Sequence, residues 1–234
     1  SRDGVEDGTG WESVRAKGAS MGALASIDFF PGVDLRKPVI VTCFTAPLLE
    51  LYHNFACHLD ALGMMAQHIV YALDDLTFDT LRAEGIPAMH AAKANIQVPP
   101  SQTPLSEDQE YVHGTTDFAR MSYYKLRVLE HASRALSEYG FLYSDVDVVF
   151  LENPLDHVNT TLDMQFASDY RIAPAAEISR LGSSHNYLGY LCTGIFFGRG
   201  EVASDVLRAA VEFGERPVNT GRDDQLAVNA VLAD

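Results

Sequence analysis

Apolar and polar positions along this chain form alternating blocks with strand and helix periods. Short runs rich in β-branched residues are typical of buried strands, and each is followed by a stretch of helical period that ends near a glycine. The first four blocks, in chain order strand, helix, strand and helix, are Pro38–Phe44, Pro47–Leu62, His68–Leu73 and Thr77–Glu84. This order and spacing predict a parallel α/β sheet.

The second half of the chain continues the pattern after a long polar stretch at 91–115, which predicts a loop. A long amphipathic helix is predicted for Thr116–Tyr139, and Gly140 leads from it into a strand that starts at Phe141. Two further strands and two further helices are predicted at Met164–Ala167, Leu191–Phe197, Glu201–Phe213 and from Asp223 to the end. Residues 1–37 are Gly-rich and polar and predict a leader or stem-like segment before a single domain at 38–234.

Composition and charge narrow the class of protein. Hydrophobic residues make up 47% and charged residues 21% of the 234 positions, which is ordinary for a globular domain. With 32 acidic against 17 basic residues, and no basic run, nucleic-acid binding is not expected. No stretch is apolar enough over enough residues for a membrane span. The three cysteines have no metal-ligand spacing.

The strand that starts at Phe141 is followed by two carboxylates, Asp145 and Asp147, and then by more strand-forming residues. If the segment is extended throughout, both carboxylates point to one face and Val146 points to the other. Two ionised carboxylates side by side repel each other, and a divalent cation with a preference for oxygen ligands would relieve that repulsion. The pattern predicts a metal site, with turn or capping carboxylates as the alternative.

Lys125 is the one charged residue on the apolar stripe of the long helix. Its aliphatic stem could pack in the core while the ammonium reaches the edge. Alternatively, the ammonium could meet an anion near the carboxyl ends of the strands. The sequence leaves both interpretations open.

The residues from Leu142 to Leu155 closely resemble the signature of the nucleotide-diphospho-sugar transferases, glycosyltransferase family 77, which are similar to the glycogenin-type transferases. Four other blocks also resemble family segments. Val39–Phe44 resembles the strand that lies along the nucleotide, and Val70–Asp74 resembles the second strand with its terminal acid. Cys192–Arg199 resembles the block that lines the sugar pocket, and Arg222–Asn229 resembles the block that faces the acceptor.

The resemblance implies a GT-A fold, which is Rossmann-like: a single α/β domain with a mixed, mostly parallel central sheet flanked by helices. It implies an enzyme that moves galactose, xylose or arabinose, with retention at the anomeric carbon, from a UDP-sugar to a hydroxyl of a glycan or glycoprotein. The implied cofactor is Mn²⁺ or Mg²⁺ on Asp145 and Asp147. The implied compartment is the Golgi lumen.

The resemblance also assigns roles to further residues. Base and ribose are expected at Thr42, Phe44, Thr45 and Asp74. Lys125 would supply positive charge, and the sugar is expected at Asp169, Thr193 and Gly194. Asp224 and Gln225 are the expected catalytic pair. The structural alternatives are that Asp223 or Asp224 caps the last helix, that Asp169 is a strand-end turn residue and that Gly194 serves a tight strand.

Two departures from the family pattern matter. Cys192 stands where relatives usually have Asn. Relatives commonly add a third metal ligand, often His, near the carboxyl end, and the domain is therefore expected to be truncated at Asp234.

Two other functions fit parts of the pattern. Phosphatases of the haloacid-dehalogenase type also carry an Asp-x-Asp after a strand, but there the motif normally opens the domain. A catalytically silent domain that binds nucleotide sugars is the third possibility.

Overall fold

A computed structural model of the chain describes residues 33–96, 116–169, 190–219 and 222–233. The strands are β1 (Val39–Phe44), β2 (His68–Ala72), β3 (Ala88–His90), β4 (Phe141–Ser144), β5 (Met164–Asp169) and β6 (Tyr190–Gly198). The α-helices are α1 (Leu49–Ala61), α2 (Asp75–Ala83), α3 (Thr116–Ala135), α4 (Gly200–Glu215) and α5 (Asp224–Ala233). Among these helices, none is both long and apolar enough to cross a membrane.

The strands form a six-stranded sheet in the order β3-β2-β1-β4-β6-β5. Strands β3, β2, β1 and β4 are mutually parallel, whereas β6 runs antiparallel to both of its neighbours, β4 and β5. Parallel strands need crossover connections, and the chain supplies them as helices. The mixed, mostly parallel sheet confirms the predicted fold class.

Helices cover both faces of the sheet, and alternate residues of each strand supply the two cores. On one face, Val39, Val41 and Cys43 of β1 pack in a cluster with residues of α3, α4 and α5. On the other face, Ile40 and Phe44 pack with residues of α1 and α2. Because both faces are covered, β1 and β2 are buried at every position, which explains their continuous apolar sequence.

Several element boundaries differ from the prediction for local reasons. Helix α2 starts at Asp75, two residues early, because the Asp74 carboxylate caps it by accepting the Thr77 N–H at 2.7 Å. Helix α3 ends at Ala135 rather than Tyr139. Strand β3 was not predicted, because three residues show no periodicity.

Strand β4 ends at Ser144, so the prediction of one extended segment through both carboxylates is wrong. The Asp145 N–H still donates to Gly194 O at 2.8 Å, but Val146 and Asp147 form a turn. Pairing with β1 stops at Tyr143 and pairing with β6 stops at Ser144, so no ladder keeps the chain extended. Val146 is buried in the core of the α1 face, as predicted.

Candidate active site

Four elements bring polar side chains together at one edge of the sheet. Asp145 directly follows β4, Lys125 lies on α3, Thr193 lies on β6 and Asp224 is the first residue of α5. This is the edge where the parallel strands end, which is where open α/β sheets generally bind ligands. These four side chains are called the lysine–carboxylate cluster below.

Lys125 is the centre of the cluster. Its Nζ lies 2.7 Å from Asp224 Oδ2 and 3.3 Å from Asp145 Oδ1, and it also donates to Thr193 O at 3.4 Å. Only 11% of its side chain is exposed, so the ammonium does not extend into solvent. Burial alone would lower the pKa of Lys125, but the charges of Asp145 and Asp224 outweigh burial and raise it. The anions that meet this ammonium are the protein's own carboxylates.

Asp224 is ionised and held from several sides. Its Oδ2 accepts a hydrogen bond from Thr193 Oγ1 at 2.7 Å in addition to the contact with Lys125. Burial acts to raise the pKa of Asp224, but the charge of Lys125 and hydrogen bonds from Lys125, Thr193 and Ser122 together lower it. Its neighbour Gln225 accepts the Thr193 N–H on Oε1 at 3.4 Å. Both predicted catalytic residues therefore contact the β6 residue predicted to meet the sugar.

Asp145 differs from Asp224 in its exposure. Its side chain is 38% exposed, and its Oδ1 accepts hydrogen bonds from Lys125 and from the hydroxyl of Tyr143. Burial raises the pKa of Asp145, Lys125 and Tyr143 oppose that rise, and the nearby charges of Asp224 and Asp147 add to it. Asp147 itself is exposed in the turn.

Asp145 and Asp147, the two carboxylates predicted to bind a metal, have the oxygen ligands that a hard cation prefers. Carboxylate oxygens are the ligands that Mg²⁺ and Mn²⁺ prefer, and Asp145 Oδ2 accepts no hydrogen bond from a described residue. Within the described ranges, no group of three or more His, Cys, Asp or Glu side chains is arranged to hold a metal ion. The remaining ligands would come from water and substrate oxygens. Metal binding at Asp145 and Asp147 stays a prediction.

The residues predicted to hold base and ribose lie at the ends of β1 and β2, where most of them have structural contacts. Thr42 is fully buried and its Oγ1 lies 3.1 Å from His68 Nε2. Phe44 is 1% exposed and stacks on Tyr52 with 4.7 Å between ring centroids. Neither the Thr42 nor the Phe44 side chain offers a surface to a nucleotide.

Thr45 and Asp74 lie beside them. The Thr45 hydroxyl is buried and has no hydrogen-bond partner among the described residues. The carboxylate of Asp74 accepts two backbone N–H groups, those of Ala46 at 2.8 Å and Thr77 at 2.7 Å. This carboxylate joins the end of β1 to the start of α2, and its contact with ribose stays a prediction.

The two remaining sugar-site predictions concern Asp169 and Gly194. Asp169 is the last residue of β5 and pairs in register with Tyr190 of β6. A Cβ added to Gly194 would lie 2.9 Å from Asp145 Oδ2, so a glycine at this position keeps the Asp145 carboxylate free of a side chain. The close approach at Gly194 is to a carboxylate of the protein rather than to a second strand.

Three residues around the cluster were not among the predicted site residues, although Asn229 ends the block that was expected to face the acceptor. Tyr143 precedes Asp145 by two positions, and strand alternation could have placed it on the same face. Ser122 lies one helical turn before Lys125 and contributes to the pKa of Asp224. Asn229 exchanges two hydrogen bonds of 2.9 Å with the backbone of Leu191, which fixes α5 against β6. No sequence signal indicates that pairing.

A cleft of about 360 Å³ lies apart from this cluster. The segment 149–158 and strands β4, β5 and β6 line it, and its residues include Phe150, His157 and Phe197 but none of the cluster. Leu142, Phe196 and Phe197 are among the residues that line the cleft, and Phe196 also packs with Tyr143 in the core on the α3 face. Among the described residues that line it, the cleft contains one ionisable pair, Glu152 and His157. The lysine–carboxylate cluster, rather than the cleft, is therefore the candidate active site.

Comparison with known proteins agrees with this architecture. Among solved structures, the chain is similar to the galactosyltransferase LgtC in complex with donor and acceptor sugar analogues, with a TM-score of 0.52, 13% identity, and coverage of 82% of this chain and 69% of that one. At this identity the likeness shows a shared fold. No curated protein matches by sequence.

The sequence profile of the nucleotide-diphospho-sugar transferases matches residues 63–234, a range that contains the whole lysine–carboxylate cluster. The match covers more than half of the chain and confirms the resemblance seen in the motifs. The chain belongs to the nucleotide-diphospho-sugar transferase family.

Proposed function

We propose that this glycosyltransferase moves a hexose or pentose, of the galactose, xylose or arabinose type, from a UDP-sugar to a hydroxyl of a glycan or glycoprotein. The reaction retains the configuration at the anomeric carbon and depends on Mn²⁺ or Mg²⁺. The family match and the likeness in fold to LgtC, which was solved with donor and acceptor sugar analogues, support the proposal.

The charge balance of the cluster is the observation that carries the metal requirement. One ammonium, that of Lys125, faces the buried carboxylate of Asp224 and the partly exposed carboxylate of Asp145, and Asp147 lies close enough to act on Asp145. One positive against three negative groups repels a diphosphate, in a chain whose formal net charge is already -15. A divalent cation on Asp145 and Asp147 would cancel that excess of negative charge and remove the repulsion.

The chemistry of sugar transfer suggests a role for each residue of the cluster and for Gln225. The leaving group is a nucleoside diphosphate, and a bound cation would supply Lewis-acid stabilisation of the charge that develops on it. Lys125, fixed by Asp224, holds a second positive charge at the same edge of the sheet. Gln225, whose Oε1 accepts the Thr193 N–H, would contact the sugar beside Thr193, and Asp224 would orient both Thr193 and Lys125, with which it pairs.

Donor binding tests this proposal directly. UDP-sugars are screened by thermal shift with and without Mn²⁺, and binding of UDP is then measured by calorimetry for Asp145→Ala and Asp147→Ala. A ligand at about 100 times its Kd stabilises the native state by about 2.7 kcal/mol, roughly 5–10 °C in Tm for a chain of this size. We expect that shift for one donor, only with metal, and its loss in both variants.

Asp60→Ala is the matched control, because Asp60 is an exposed carboxylate near the end of α1, which begins at the carboxyl edge of β1 and runs away from it. This variant should bind donor and metal as the wild type does. UDP binding that a chelator leaves unchanged would contradict the metal role.

The other two functions are outcomes of the same experiments. Phosphate release from a simple phosphoester, without sugar transfer, would indicate the phosphatase, which the family match does not favour. Donor binding without transfer to any of a panel of acceptors would indicate the silent domain. The Golgi lumen follows from the family resemblance, and fluorescence microscopy of the full-length tagged protein would test it.

A further inference from the structure

We propose that Tyr143 and Gly194 are positioning residues for the Asp145 carboxylate: Tyr143 fixes Oδ1, and Gly194 leaves Oδ2 open for the cation. The inference rests on the proposed function, because it takes Asp145 as a metal ligand. It gives these two residues a role that the family resemblance does not assign to them, which is to orient the Asp145 carboxylate.

The Tyr143 ring is immobilised on all sides. It is fully buried, its ring centroid lies 5.8 Å from that of Phe196, and Lys125 Nζ lies 5.0 Å from its centroid. A ring held in this way brings its hydroxyl to one place, where it donates to Asp145 Oδ1. The same oxygen accepts from Lys125. Rotation of the Asp145 carboxylate would break both bonds, so its orientation is fixed.

The Tyr143 hydroxyl has one proton to donate, and its surroundings direct that proton to Asp145. Cys43 Sγ lies 3.8 Å from the hydroxyl oxygen. Burial raises the pKa of the Cys43 thiol to about 12, so the thiol keeps its proton and can donate to the tyrosine oxygen. The hydrogen bonds then run in one direction, from Cys43 to Tyr143 to Asp145.

Gly194 acts on the second oxygen of the same carboxylate. Its carbonyl accepts the Asp145 N–H at 2.8 Å, which sets the backbone distance between the two residues. At that distance a Cβ on residue 194 would lie 2.9 Å from Oδ2, closer than real Cβ contacts. Any side chain at 194 would therefore displace Oδ2 or cover it. Glycine keeps Oδ2 accessible.

Tyr143→Phe tests the first half of the proposal, since it removes one hydroxyl and keeps the ring. Partners that orient a metal ligand typically change metal affinity by about 10–100-fold when they are removed. We expect the affinity for Mn²⁺ in the presence of UDP, measured by calorimetry, to fall by about that factor. In the transfer assay, the Mn²⁺ concentration at half-maximal rate should rise by about the same factor, while kcat at saturating Mn²⁺ changes much less.

Tyr71→Phe is the matched control. Tyr71 is also fully buried in the core on the α3 face, but its hydroxyl pairs with His131 Nδ1 at 3.2 Å, away from the carboxylates. Loss of a buried hydroxyl affects both variants, whereas loss of the bond to Asp145 affects only Tyr143→Phe. Equal Mn²⁺ affinity in the two variants would overturn the role of Tyr143.

Gly194→Ala tests the second half and should also weaken Mn²⁺ binding, because the added methyl group meets Oδ2. Wild-type affinity in this variant would overturn the role of Gly194. The wild-type titration distinguishes failure of the proposed metal binding from failure of the positioning inference. If wild-type protein binds no Mn²⁺ with UDP, the metal part of the proposed function is wrong, and if it binds but Tyr143→Phe binds equally well, only the positioning inference is wrong.

Discussion

At the scale of single residues, one ammonium group in the lysine–carboxylate cluster, that of Lys125, pairs with two carboxylates that differ in their exposure to solvent. The Asp224 side chain is 7% exposed and the Asp145 side chain 38%, and both contact the same ammonium. Removing one partner of a buried ion pair leaves the other charge without compensation in a poorly solvated place. The cluster is therefore costly to disturb, and Lys125 is its most sensitive member.

Lys125→Met should destabilise the protein by about 3 kcal/mol, because it strands the buried charge of Asp224. The free energy of unfolding, measured in urea, checks this. Arg208→Met is the matched control: Arg208 also contacts two carboxylates, Asp205 at 2.8 Å and Glu212 at 3.4 Å, but on the surface of α4. Pairs of that kind contribute about 0.2–1 kcal/mol.

The double variant Lys125→Met with Asp224→Asn separates charge from packing. Asparagine keeps the shape of Asp224 and removes its charge, so the double variant should lose less stability than the sum of the single variants. If Lys125→Met costs no more than Arg208→Met, the buried pair does not stabilise the fold.

At the scale of elements, the packing of α3 against α4 depends on a glycine. Gly214 lies near the end of α4, and a Cβ added there would lie 1.8 Å from Cε1 of Tyr123 on α3. Tyr123 is 6% exposed, so its ring has little room to move away. The glycine allows the two helices to approach closely, and α3 in turn carries Lys125 to the active site.

Gly214→Ala should therefore destabilise the protein. The better helix propensity of alanine contributes about 1 kcal/mol at most, whereas overpacking a tight contact typically costs about 1–3 kcal/mol. We expect a net loss of about 1 kcal/mol in urea unfolding. Val202→Ala, at a position on α4 that is 51% exposed, should change stability by less than about 0.5 kcal/mol. A Gly214→Ala protein as stable as the wild type would show that the helices move apart without cost.

At the scale of the whole molecule, a buried histidine couples stability to pH. His68 is 1% exposed in β2, between the Thr42 hydroxyl and the rings of Tyr52 and Phe55. Burial lowers the pKa of His68 from 6.5 to about 3. The unfolded chain takes up this proton below pH 6.5 and the folded protein does not until about pH 3, so acid favours unfolding across that window.

We expect the free energy of unfolding to fall by about 2 kcal/mol between about pH 7.5 and about pH 5 through His68 alone. His68→Gln keeps a group that can hydrogen bond to Thr42 but does not titrate. Its stability in the same range should decline less by about that amount. Identical pH profiles for the two proteins would show that His68 titrates equally in both states.

The sequence alone determined much of this protein's identity. The order of the strands and helices apart from β3, the mostly parallel sheet and the membership of the transferase family followed from local patterns and motifs. These features are readable because hydrophobic period, β-branched content and glycine stops depend on neighbouring residues. The position of Lys125 on an apolar stripe was visible in the same way.

Only the tertiary structure decided how the residues of the site are connected. It showed that the strand ends at Ser144, that Lys125 meets Asp145 and Asp224, and that the hydroxyl of Tyr143 reaches Asp145. It also showed that Thr42 and Phe44 face the interior. These outcomes depend on groups from α3, β4, β6 and α5, which lie up to about a hundred positions apart. No local pattern records which distant side chain will face a given charge, because that is decided when the helices pack on the sheet.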